Sequence, residues 1–108
     1  MPYTAHFTMP EPTTDEVHAL PGWTLLEFGT DWCPHCLGAQ NAIREALDAA
    51  PGVQHIKIED GPGRRLGRFY RVKLWPSLVL LRDGEEVGKA IRPQNSDEVK
   101  KLLSAATN

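Results

Sequence analysis

The sequence predicts an α/β domain in which a central mixed β-sheet carries helices on both faces. Three observations predict it. Apolar residues switch between the two-residue period of strands and the longer period of helices, in the order β-α-β-α-β-α-β-β-α. Breaks rich in Gly, Pro and Asp-Gly fall between those segments. The 108 residues, 41% apolar and 24% charged, suit one domain spanning 1–108 with a single core.

Each element has its own signal. "YTAHFT" (3–8) alternates, which predicts a short edge strand. Thr13 and Glu16 have the spacing of a capping box at the start of a short helix. "WTLLEF" (23–28) is a short apolar run with β-forming residues, read as the buried central strand. From Cys33 to about Ala49, Cys36, Ala39, Ile43, Ala46, Leu47 and Ala50 recur at three and four, the pattern of a helix that Pro51-Gly52 ends. "VQHIKIE" (53–59) alternates strictly and predicts a strand. After the "GPG" break at 61–63, Leu66, Phe69 and Tyr70 mark the inner side of a third helix. Its basic residues Arg64, Arg65, Arg68, Arg71 and Lys73 read as a solvated face rather than a binding stripe. "SLVLL" (77–81) and "EEVGKAI" (85–91) meet at Asp83-Gly84, a tight-hairpin signal. Asn95 and Glu98 cap a last helix bearing Val99, Leu102 and Leu103.

A net charge of -2 gives no electrostatic reason to expect nucleic acid or an anionic membrane as partner. No apolar run reaches the length of a bilayer span. The start, "MPYTAHFTMPEPTTDE", has neither the basic nor the apolar region of a secretory signal. The expectation is a cytoplasmic protein, in a compartment that keeps thiols reduced and makes a disulfide catalytic or redox-sensing rather than structural.

Both cysteines of the chain lie in "WCPHC" (32–36). One such pair is half of a closed zinc site, and the histidines at 6, 18 and 55 have no ligand spacing, so no metal is expected. Attachment of haem needs His at 37, where Leu37 stands, and no cofactor is expected. A disulfide between 33 and 36 closes so short a loop that it constrains the unfolded chain little. A redox role has a mechanism. Cys33 falls at a helix N-terminus, whose free N–H groups and dipole favour a thiolate. Cys36 falls one turn on and inward, within reach of a mixed disulfide at Cys33. Pro34 suits the first helical turn. His35, between the sulfurs, is expected to stabilise the Cys33 thiolate through its side chain, making the disulfide more oxidising. Glu27 shares a strand face with Leu25, in a segment otherwise fit for burial, where a charged and unpaired carboxylate costs several kcal/mol.

The residues that follow one another as "LLEFGTDWCPHC", "FYRVKLWPSLVLL" and "DGEEVGK", with an amphipathic C-terminal helix, resemble the thioredoxin family over nearly the whole chain. The resemblance implies the thioredoxin fold and a thiol–disulfide oxidoreductase. It implies that Cys33 is the attacking nucleophile, Cys36 the resolving cysteine and Trp32 the tryptophan packed beside them. It makes Pro76 a cis-proline facing the sulfurs, with the backbone at Trp75 pairing with substrate. Glu27 takes the position of the family's buried aspartate, which helps deprotonate the resolving cysteine. His55 takes that of a buried lysine, and reads as a neutral core or surface histidine. The implied partners are protein disulfide or dithiol substrates, with a thioredoxin reductase or glutathione for recycling, and a monomer as the acting form.

Departures from the family pattern bear on specificity. Pro34-His35 is the pair of the periplasmic oxidant class, but the chain has no room for the helical insertion of those proteins. Asn41 stands in place of a helix-kinking proline, "GTD" precedes the Trp, and Arg92 in "IRPQNS" puts a bulky charge beside the docking surface. The expected result is an altered partner set and a higher potential than a general reductant. Two alternatives stand beside this reading. One is a docking module on the same scaffold with incidental redox chemistry. The other is a glutaredoxin-like glutathione-dependent reductase, which lacks support after Pro76, where no glutathione-gripping Gly/Asp segment follows.

Overall fold

The computed structural model describes residues 3–107. A short helix α1 (Thr14–His18) leads into strand β1 (Trp23–Gly29), helix α2 (Pro34–Asp48) and strand β2 (Val53–Glu59). Helix α3 (Arg65–Phe69), strands β3 (Ser77–Arg82) and β4 (Glu85–Ile91), and helix α4 (Ser96–Thr107) complete the chain. The strands lie in the order β2-β1-β3-β4. β1 is central, parallel to β2 and antiparallel to β3, and β4 pairs antiparallel with β3. This is the mixed α/β sheet that the apolar periodicity predicts.

Alternation along β1 divides the core. Leu25 joins Leu78 and Leu80 of β3 under Ile43 and Leu47 of α2 and Leu103 of α4. Leu26 and Phe28 point the other way, to Val17 of α1, Leu66 of α3, and Val79 and Leu81 of β3. Each such side chain, fully withdrawn from water, contributes about 1.5–3 kcal/mol. A one-residue slip of β1 would exchange the two sets, so the register is firmly specified. Glu27 faces with Leu25, as the alternation predicts, and stands opposite Lys57 of β2.

The local signals hold where side chains close a backbone. Thr13 Oγ1 accepts from the Glu16 N–H at 3.0 Å while the Glu16 carboxylate accepts from the Thr13 N–H at 2.9 Å, a complete capping box. Asn95 likewise accepts from the Glu98 N–H at the head of α4. In the β3–β4 turn both Asp83 (φ 49°) and Gly84 (φ 82°) are left-handed, which a two-residue hairpin of this hand requires. A Cβ on Gly84 would run into the His18 carbonyl.

Two expectations are corrected. Residues 3–8 form no strand, and only Phe7 bridges to Lys57, with the Thr8 N–H donating to the Lys57 carbonyl at 2.8 Å. The Thr4 N–H is drawn out of any ladder by the His55 ring. Phe69 is not inward but 51% exposed. A helix of five residues has little more than one turn, and Leu66 and Tyr70, four apart, take its inner side.

Candidate active site

The sheet delivers the two cysteines to one edge of the molecule. β1 ends at Gly29, and Cys33 is the N-cap of α2, extended at φ -75° and ψ 120°, with its Sγ accepting from the Cys36 N–H at 3.4 Å. Pro34 opens the helix, where its missing N–H costs no hydrogen bond. Both thiols are free and buried, with Cys33 5% and Cys36 3% exposed.

Their acidities are driven apart. Burial pushes the Cys33 thiol up, but hydrogen bonds from the Cys36 thiol, the Cys36 and His35 backbone N–H groups, and the positive charge of Arg92 outweigh it and hold Cys33 below the ordinary thiol value. Burial pushes Cys36 up to about 12, helped by its hydrogen bond to Cys33 and the nearby charges of Cys33 and Glu27, against a lowering hydrogen bond from the Thr30 backbone. The His35 backbone N–H is among the groups that lower Cys33, and its side chain is exposed on the first turn of α2.

A second group of residues flanks the pair. The Trp75–Pro76 peptide bond is cis, as expected. Arg92, left-handed at φ 49°, donates its backbone N–H to the Pro76 carbonyl and its Nε–H to the Trp75 carbonyl, both at 2.9 Å. Arg92 is thus half-buried and tied to the loop rather than a free surface charge. Trp75 is half-buried too, with its indole N–H donating to Asp60 Oδ2 at 2.8 Å. Trp32, 68% exposed, meets Trp75 edge to face with ring centroids 5.8 Å apart.

Behind Cys36 lies a polar cluster. Glu27, 1% exposed, receives a hydrogen bond from Gln40 Nε2 on Oε2 at 2.8 Å, and its Oε1 is 2.9 Å from His55 Nε2. Lys57 Nζ stands 3.9 Å from Oε2. Gln40 also donates to the Cys36 carbonyl at 2.7 Å and accepts from Tyr3 OH and Lys57 Nζ. A groove of about 500 Å³, lined in part by Tyr3, Thr30, Cys36, Gln40 and Lys57, opens beside it, and the buried Thr30 Oγ1 there has no protein partner. Sequence reasoning missed Lys57, Gln40, Tyr3 and Asp60. The strict alternation of "VQHIKIE" held the clue to Lys57, since it puts residues 55 and 57 on one face. His55, expected as a neutral core or surface histidine, is a core one at 5% exposed and touches the Glu27 carboxylate. The expectation that it takes the lysine's place is corrected, since the residue across from Glu27 in the register of β1 and β2 is Lys57. Among the described residues no group of three His, Cys, Asp or Glu side chains is arranged to hold a metal ion.

The family model for thioredoxin matches residues 8–105. The chain belongs to the thioredoxin family. Thioredoxin 2 from Pseudomonas aeruginosa PAO1, solved in its reduced form, superposes with a TM-score of 0.86 at 45% identity, over 97% of each chain. The thioredoxin of Chlamydia trachomatis is 28% identical over 83 residues, 77% of this chain and 81% of that protein. Thioredoxin-2 of Pyricularia oryzae is also 28% identical over 83 residues, but this chain spans only 48% of its length. The matched fold and the adjacent reduced cysteines make this thioredoxin domain a thiol–disulfide oxidoreductase. Among the described residues no helix is long and apolar enough to cross a membrane.

Proposed function

We propose that this thioredoxin-family chain exchanges disulfides with protein substrates, with Cys33 as nucleophile and Cys36 as resolving thiol. The Cys33 thiolate attacks one sulfur of a substrate disulfide, forming a mixed disulfide and releasing the other sulfur as a thiolate. Cys36 then gives up its proton and attacks Cys33 Sγ. The second substrate sulfur leaves, and a Cys33–Cys36 disulfide remains, so the substrate gains two electrons and the pair loses them. The opposed shifts of the two thiols carry this reading: Cys33 gives up its proton more readily than an ordinary thiol, and Cys36 less readily.

Glu27 is the proposed acceptor of the Cys36 proton, supported by its burial and its charge acting on Cys36. Trp75, Pro76 and Trp32 are the proposed docking surface, with Pro34 next to Cys33 in the chain and Arg92 acting on Cys33 by its charge. Recycling by a thioredoxin reductase or glutathione closes the cycle. Action in the cytoplasm is supported by cysteine usage: both cysteines belong to the redox pair, and no structural disulfide staples the fold. Trapping tests the reading. With Cys36→Ser, a disulfide-bonded protein such as insulin is expected to stay attached to the chain. With Cys33→Ser, no adduct and no turnover are expected. Undiminished turnover by either variant would overturn the assignment.

A further inference from the structure

The hydrogen bonds around His55 decide its tautomer. A backbone N–H can only donate, and that of Thr4 points at His55 Nδ1 at 2.9 Å. Nδ1 must therefore hold its lone pair, and the ring hydrogen is on Nε2, facing Glu27 Oε1 at 2.9 Å. His55 is a neutral donor to the carboxylate, not a cation paired with it. Tyr3 from the same N-terminal segment stacks on the imidazole, with centroids 5.2 Å apart and planes 28° from parallel. Phe7 lies under Lys57 Nζ at 4.8 Å. Residues 3–7 thus cover His55 and Lys57 without forming a strand.

From this arrangement we infer that His55 is a positioning residue for the resolving step, and that the N-terminal segment sets it through the Thr4 N–H. The inference rests on the proposed role of Glu27 above. With His55 Nε2–H on one oxygen and Gln40 Nε2–H on the other, both Glu27 oxygens accept, and the carboxylate is fixed beside Cys36. During resolution the Cys36 S–H bond breaks and its proton passes to Glu27. The Cys36–Cys33 S–S bond forms as the bond from Cys33 to the substrate sulfur breaks, and that sulfur leaves as a thiolate. His55 does not touch the sulfurs. It holds the proton acceptor in place with a defined lone pair free.

The charged and titratable groups facing this centre come from three sides. Lys57 neighbours His55 on β2, Cys36 comes from α2, and Tyr3 comes from the segment, with Arg44 of α2 over its ring at 4.7 Å. β3 contributes Leu78 opposite Glu27 and no charge. Lys57, at 3.9 Å, gives Glu27 an electrostatic partner but a weaker directional one than the two hydrogen bonds.

Dithiobis(nitrobenzoate) reads the two steps separately in a stopped-flow instrument, because Cys33 attack releases one coloured thiolate and Cys36 resolution releases a second. His55→Leu and Thr4→Pro, which removes the amide donor, are expected to leave the first phase unchanged. Both should slow the second about tenfold at pH 7, the equivalent of about one lost hydrogen bond, and move its rising limb to higher pH. His55→Gln, which keeps a donor near the Nε2 position, is expected to restore the profile. Imidazole 15N shifts of the unaltered protein should report the neutral Nε2–H form. An Nδ1–H or doubly protonated ring, or a Leu variant with an unchanged second-phase pH profile, overturns the inference. A Gln variant as slow as the Leu variant does so too. Failure of the unaltered protein to release a second thiolate would instead overturn the resolving role of Cys36.

Discussion

Gly29 lies so close to Cys36 that a Cβ built on it would stand 2.5 Å from the Cys36 sulfur. No real Cβ contact is that short, and the sulfur is held by α2 on its other side. Gly29→Ala is therefore expected to displace the Cys36 thiol and to cost about 1–3 kcal/mol, as overpacking does elsewhere. Urea unfolding of the reduced protein would measure the loss, and slower closure of the Cys33–Cys36 disulfide would accompany it. An unchanged midpoint with unchanged closure would refute this account of the glycine.

The lowered pKa of Cys33 has a definite sign in kinetics and stability. Alkylation by iodoacetamide follows the thiolate, so its rate should rise at lower pH than for a free thiol. Because the folded value is depressed, the stabilisation is present above the unfolded thiol value and is lost as pH falls through the folded one. Arg92→Gln removes one of the lowering charges and should move the alkylation midpoint upward. Added salt should shrink the difference between Arg92 and Gln. A midpoint that stays in place would show that Arg92 does not act on Cys33.

Cys36 has the opposite sign. Its folded value is raised from 9.0 to about 12, so the folded state holds a proton that the unfolded chain releases. The resulting stability is present below pH 9 and drains away as pH climbs toward 12. Tyr3 and Tyr70 are also raised by burial, which adds to the slope in every variant. Cys36→Ala should therefore flatten, without abolishing, the alkaline decline of the reduced protein's denaturation midpoint. Equal slopes in the two proteins would contradict the burial argument.

Asp60 joins the loop that carries Trp75 to the body of the domain. Its N–H donates to the Gly29 carbonyl at 2.9 Å, its carboxylate packs against Gly67, and it accepts the Trp75 indole N–H. Asp60→Ala should cost about 1–3 kcal/mol for the lost bond to a charged acceptor. It should also change tryptophan fluorescence and raise KM for a protein disulfide, with Cys33 alkylation unaltered. Normal KM with altered fluorescence would detach Trp75 from substrate docking.

Much of the fold is local and was therefore readable. The three-and-four spacing from Cys36 to Ala50, the alternation of 53–59 and the Asp83-Gly84 turn each specify their own element. The Thr13–Glu16 box works through two hydrogen bonds three residues apart. What escaped reading depends on register or on distant chain. Lys57 meets Glu27 because β1 and β2 pair in one register, and no local pattern writes that register down. Tyr3 reaches Gln40 across 37 residues. Alternation at 3–8 looked like a strand, yet the Thr4 amide found a ring nitrogen instead of a carbonyl.

The chain has two cysteines, and both stand at one helix end. In terms of electron traffic, that leaves a circuit with a single door. A sulfur captured at Cys33 meets only one other thiol of the same chain, so no internal rearrangement can divert it to a third. Within these 108 residues a mixed disulfide at Cys33 has Cys36 as its one internal thiol, and an outside thiol such as glutathione is the other way out. Fidelity of exchange is thereby a property of cysteine count as much as of geometry, and adding a third exposed thiol would open an internal route that these 108 residues lack.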